Sequence, residues 1–152
     1  MIRGQALVEF ALVLPIALIL MLGVFDIGRA IFLYNGLTNA AREGARMAIV
    51  NQDKGAVALR VQATTFAGPV SNLADLDDLV DYRRSNADGT LGAACAPLAV
   101  GCIAVVTPTS EWAAITPIIG NLMGPITFQA RSELPIELVC PSAVFPTCPK
   151  QP

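Results

Sequence analysis

The sequence predicts an α+β protein: a long N-terminal helix, transmembrane and then amphipathic, followed by a small antiparallel-sheet domain with a short second helix. Three observations lead there. From Phe10 to Phe25 the chain carries no polar side chain. From Ile27 to Val50 small and apolar residues recur in alternating steps of four and three, with no proline among them. Beyond Gln52 the pattern changes to short apolar runs punctuated by glycine, proline and aspartate. A length of 152 residues suits a membrane anchor plus one small domain.

The first element is the apolar run. Extended back to Gln5 it gives a segment, 5–25, of about the ~20 residues needed to cross a ~30 Å hydrocarbon layer. No small-x-small site follows it, so removal of the whole segment as a secretory signal is not expected. Arg3 on the short side places the N-terminus in the cytoplasm and the bulk of the chain outside. Glu9 stands out, because a carboxylate in such a segment costs roughly 2.5–3.5 kcal/mol near the bilayer centre and less towards its edge. It either finds a cationic partner or sits solvated at the lipid interface.

The helix continues as an amphipathic segment, 26–50. Ile27, Ile31, Tyr34, Thr38, Ala41, Ala45 and Ala48 share one stripe, with Ala30, Leu33, Leu37, Ala40, Gly44 and Met47 beside it. Asn35, Asn39, Arg42 and Arg46 keep the same rhythm on a polar face. Residues 5–50 then make a helix of roughly 70 Å, of which only about 30 Å fits in lipid. Small side chains allow the projecting half to approach its own domain or neighbouring helices closely. Pro15 is expected to kink or loosen the helix.

The outer domain occupies 51–152. After a break at Gln52–Gly55, Ala56 to Phe66 suits a second helix, ended by Gly68-Pro69. Asp75, Asp77, Asp78 and Asp81 read as a solvated acidic turn into a strand at 79–84, since the spacing lacks the glycine and terminal glutamate of a calcium loop. Asp88-Gly89 is a hairpin signal. Strands are expected over 102–107 and 126–138. In the latter Ile126, Phe128, Ala130, Ser132 and Leu134 alternate with Thr127, Gln129, Arg131 and Glu133. Between them the apolar stretch 116–124 is a loop or short helix, taken as domain core in preference to a subunit-contact patch. Trp112 is a half-buried anchor beside it, and Pro141, Pro146, Pro149 and Pro152 mark a tail.

Chemistry is scarce. A net charge of −2 gives no case for nucleic acid. The absence of histidine removes the commonest general base and metal ligand. None of the five serines lies in a nucleophile elbow, and no glycine-rich phosphate loop exists. No catalytic, cofactor or metal residues are expected. The four cysteines, all C-terminal, have spacings unlike zinc hooks and favour two disulfides in an oxidising compartment. Cys95–Cys102 and Cys140–Cys148 are preferred because each closes a short loop, although other connectivities or free thiols fit the sequence.

The N-terminus also resembles a known family. Gly4, then Gln5-Ala6-Leu7-Val8-Glu9-Phe10 and an apolar helix, resemble the type IV prepilin signal, with the Glu-Phe pair typical of the tight-adherence (Tad/Flp) pilus system. Residues 3–50 are similar to the N-terminal domain of TadE-like minor pilins, and the block from Leu37 to Arg46 is especially close. The stretch 116–124 and the strand ending at Pro135-Ile136-Glu137 share in the resemblance. It implies a leader, 1–4, removed by a prepilin peptidase between Gly4 and Gln5. Glu9 then becomes the fifth mature residue and, with Phe10, serves assembly by meeting another subunit's new N-terminal amine. Implied partners are other pilin subunits packed helix on helix, the peptidase, the inner-membrane assembly platform and the lipid bilayer. The implied location is a single-pass membrane protein with its C-terminal domain extracytoplasmic, in part extracellular within a pilus. A major filament pilin, or a non-polymerising membrane protein with an outer binding domain, are the alternatives. The large outer domain favours the minor pilin.

Overall fold

Residues 3–140 are described by a computed structural model. Its spine is α1 (Arg3–Ala48), which runs unbroken past Pro15 for 46 residues. Among the described residues nothing packs on the first half, and the second half is the core around which the other elements pack. Leu37 is 1% exposed, and Ala40, Ala41, Ala45 and Ala48 are fully buried. Small residues are required there because α2 (Lys54–Thr64) and the sheet come very close. A Cβ on Gly44 would lie 2.5 Å from a Val61 methyl and 3.0 Å from a Val106 methyl.

The stripe from Ile27 to Ala48 is therefore divided. Its C-terminal members Ala41, Ala45 and Ala48 are buried, whereas Ile27, Ile31 and Tyr34 face outward. A repeat averaging 3.5 residues drifts about 20° per heptad around an α-helix, so one stripe need not meet one neighbour along its whole length. Asn35, Asn39, Arg42 and Arg46 are exposed.

Asp53 caps α2 by accepting from the Gly55 N–H at 3.0 Å, two residues earlier than the expected helix start. Val57, Ala58 and Val61 then face α1, and Glu43 of α1 pairs with Arg60 at 3.2 Å and with Arg46 at 3.3 Å. The acidic turn becomes the single turn α3 (Leu76–Leu79). Its aspartates are separately employed. Asp75 caps it by accepting from the Asp77 and Asp78 N–H groups, Asp77 meets Lys54 at 2.6 Å, and Asp78 accepts from Asn72 at 2.9 Å. Among the described residues no cluster of three or more His, Cys, Asp or Glu could hold a metal.

β1 (Val80–Ser85) and β2 (Leu91–Ala94) form the hairpin, with Gly89 at φ 81° in its turn. β3 (Ile103–Val106) pairs antiparallel with β1, placing Val80 opposite Val106 and Tyr82 opposite Ala104. β4 (Thr109–Trp112) leaves for a second sheet and is followed by α4 (Pro117–Met123). The long strand expected over 126–138 is two strands. β5 (Ile126–Gln129) pairs with β4, whereas β6 (Ser132–Pro135) pairs with β3 and completes a four-stranded sheet of order β2-β1-β3-β6. The chain switches sheets at Ala130, whose N–H donates to the Pro108 carbonyl at 3.1 Å. Alternation of side chains survives on each half, which is why the switch leaves no mark in the pattern.

Leu79, Val80, Tyr82, Ala104, Val106 and Ile136 close the core against α1 and α2. The end of the chain is tied to the end of α1 through buried Gln52. Its Nε2 donates to the Ala48 and Leu138 carbonyls, both at 2.9 Å, while its Oε1 accepts from the Cys140 N–H. The Glu137 and Leu138 N–H groups donate to the Ile49 carbonyl. Cys95 and Cys102 are disulfide-bonded with Cα atoms 6.2 Å apart, and Cys140 is disulfide-bonded. Cys148 and the proline-rich tail lie outside the described residues.

Candidate functional site

The apolar half of α1 is bare. From Leu7 to Phe25 the large side chains Phe10, Leu12, Ile16, Leu20, Met21 and Val24 are all exposed, as far as 72% for Met21 and Val24. Such a patch far exceeds the few hundred Å² that a soluble monomer leaves in water. The helix is long and apolar enough to cross a membrane, and its most apolar stretch is not buried at all. It is compatible with a single-pass membrane anchor. Glu9 and Phe10 stand exposed on this helix, so the chain's own domain covers neither. Around Gly4 and Gly28 a Cβ would meet nothing within 4 Å.

Where the apolar run stops, the outer domain takes hold of the helix. Asp26, only 2% exposed, accepts from the Ile115 N–H at 3.0 Å, the Thr116 N–H at 3.0 Å and the Thr116 hydroxyl at 2.6 Å. Arg29, one turn on, lies 3.7 Å from it. A buried carboxylate is tolerated only with such partners. The sequence did offer a signal, an aspartate directly after the apolar run, but not the partner 90 residues away.

The Thr116 hydroxyl, then the Ile115 N–H, hold the Asp26 carboxyl below its ordinary value of 3.8, outweighing the burial that would raise it. The folded value is depressed, so the stabilisation is fully present above the unfolded value and is lost as pH falls through the folded one. Asp26→Asn is therefore expected to lower the thermal midpoint at pH 7 and to lose little further below pH 4 relative to wild type. Thermal unfolding at pH 7 and pH 3, in detergent, reads this. Subtracting the two proteins cancels Asp77 and Asp88, which Lys54 and Thr90 hold low in the same way.

The tether aligns β4 with α1. Phe128, paired with Ser110 across the small sheet, meets Tyr34 with ring centroids 6.4 Å apart and Trp112 at 6.3 Å. Trp112 is 7% exposed, fully rather than half-buried. Within the stretch 116–124 Thr116 is buried against Asp26, but the large apolar side chains that are described are not core: Leu122 is 84% and Met123 58% exposed, and neighbouring Ile115 62%. The pairing of β4 with β5 turns the chain back at this point, so the stretch forms the tip of an arm. A groove of about 430 Å³ lined by Asp77, Asp81, Arg83 and Arg131 completes the surface, but Arg83 is paired with Asp81 and Arg131 with Glu133.

The Leu37–Arg46 block acquires a physical meaning here. Ala41, Gly44 and Ala45 are small to admit α2 and β3, and Glu43 is the ion-pair partner of α2. The block serves packing within the chain, whereas Ile27, Ile31 and Tyr34 stay exposed.

No curated protein and no solved structure matches the chain. The family model described as TadE-like protein matches residues 4–46, the span that includes the bare segment, Asp26 and most of the packed half of α1. Over this helix the chain is therefore similar to TadE-like proteins, a likeness confined to residues 4–46.

Proposed function

We propose that the chain is a pilin-like structural subunit, a minor pilin of a Tad-type IV pilus, and that it has no enzymatic role. The observation that carries the reading is a TadE-like helix whose first half, apolar from Phe10 to Phe25 with Glu9 at its head, is left exposed by its own domain. Such a helix can be held by lipid before assembly and by other subunits' helices afterwards, since both environments are apolar. The N-terminus lies in the cytoplasm and the domain outside, in keeping with Arg3 and with the disulfide-bonded cysteines. A prepilin peptidase cuts between Gly4 and Gln5, the assembly platform extracts the processed chain, and Glu9 pairs with a neighbour's new N-terminal amine. Pairing relieves the desolvation of both charges and fixes the register between helices. Ile27, Ile31 and Tyr34, exposed beyond the bilayer, extend the helix contact. An outer domain with two sheets and three further helices among its described residues suits a priming or capping subunit.

Gly4→Ala tests this. A Cβ at that position meets nothing, so the fold is unaffected and only the protease can notice. The expected result in the native host is a chain that keeps its leader and is missing from sheared filaments. Normal processing with normal filament incorporation would sink the peptidase step.

A further inference from the structure

We infer that the tip of the β4–β5 arm, residues 113–125, is a membrane-interface foot that rests in the headgroup layer on the domain's side of the bilayer. The inference rests on α1 spanning that bilayer, but not on cleavage or on filament assembly. Three observations carry it. The first is height. α1 leaves its apolar run at Phe25, and Asp26, the next residue, is the one gripped by Ile115 and Thr116. With residues 5–25 filling about 30 Å of hydrocarbon at 1.5 Å per residue, the grip falls at the bilayer surface.

The second is direction. Ser110 and Phe128 face each other across the arm, and Phe128 touches Tyr34, whereas Thr116 reaches Asp26. Going from Ser110 to Thr116 thus descends α1 by about two turns towards the membrane. The last ladder pair, Trp112 with Ile126, leaves 113–125 as the lowest part of the outer domain among the described residues. The third is chemistry. Between Glu111 and Arg131 the chain has no charged residue. Its described apolar side chains point away from the protein, with Leu122 at 84%, Ile115 at 62% and Met123 at 58% exposure. Arg29, 42% exposed at the same level, is placed to meet lipid phosphate. Apolar side chains entering the headgroup and acyl boundary by roughly 5–10 Å beside a cationic residue are how interfacial segments bind. The Asp26 tether then fixes the domain's orientation on the membrane as well as its attachment to the helix.

The test uses the full-length protein reconstituted in vesicles of phosphatidylcholine with a minor share of phosphatidylglycerol. Single cysteines replacing Leu14, Leu59, Leu122 and Met123 carry an environment-sensitive fluorophore, with the labelled parent chain as blank. Lipids brominated high on the acyl chain and aqueous iodide serve as quenchers. The expected result is bromolipid quenching at 122 and 123 on the order of twofold, as at the inserted position 14, with position 59 on α2 quenched by iodide alone. Quenching at 14 with 122 and 123 open to iodide and untouched by bromolipid overturns the foot while leaving the span intact. Protection of 122 from iodide that arises only in filaments assigns the surface to a neighbouring subunit and also overturns it. No bromolipid quenching at 14 removes the spanning helix and the foot together.

Discussion

Glu9→Leu is expected to stay in the membrane and disappear from the filament. Leucine removes a charge whose burial costs up to roughly 2.5–3.5 kcal/mol, so insertion is at least as favourable as before. Glu9 is exposed on the bare half of α1, so the outer domain folds as in wild type. On the proposed assembly, what is lost is the partner of a neighbouring subunit's N-terminal amine. An uncompensated charge buried among helices costs about 3–5 kcal/mol, which is more than a hundredfold in an association constant. Glu9→Gln keeps the polarity and size without the charge and is expected to fail in the same way. Quantitative blotting of membrane and sheared fractions reads the outcome. Wild-type recovery of both variants in filaments would remove the ion pair from the mechanism.

The largest expected effect on stability is at Gly44. Intrinsic helix propensity favours almost any replacement of a mid-helix glycine, by about 0.8–1 kcal/mol for alanine. Packing predicts the reverse sign, because even a Cβ would lie 2.5 Å from Val61 and 3.0 Å from Val106. Gly44→Leu must push α2 off α1 or displace β3, and overpacking of this kind costs about 3 kcal/mol or more. A fall in the thermal midpoint on the order of 15 °C is expected for a domain of this size. Gly28 is the control, since a side chain there meets nothing within 4 Å, and Gly28→Ala is expected to be neutral or slightly stabilising. Equal behaviour of the two positions, followed by circular dichroism in detergent, would contradict the close approach of α1, α2 and β3.

What the sequence disclosed, and what it withheld, divides along the range of the interactions. The apolar run, the long helix (expected to Val50 and ending at Ala48), the Asp88-Gly89 hairpin and the alternation around Phe128 are local patterns, and structure forms where each lies, although the last is two strands and not one. β2 (Leu91–Ala94) is a glycine and alanine stretch with no alternation, made a strand by Arg83 and Ser85 opposite it. β4 carries Thr109, Ser110 and Glu111 and is a strand because β5 lies beside it. The sheet switch at Ala130 and the Asp26 grip both join residues distant in sequence, so no periodicity announces them. The exposure of Leu122 and Met123 has the same origin: apolar composition reads as core unless one knows that the stretch is the tip of an arm turned back by the pairing of β4 with β5.

The most direct measurement is the intact mass and N-terminal sequence of the protein taken separately from membranes and from sheared surface filaments of its own cells. A chain beginning at Gln5 is expected in the filament fraction, present at a small stoichiometry relative to the bulk subunit. A chain beginning at Met1 and confined to the membrane fraction would contradict it, leaving α1 as the stalk of a signal-anchored outer domain.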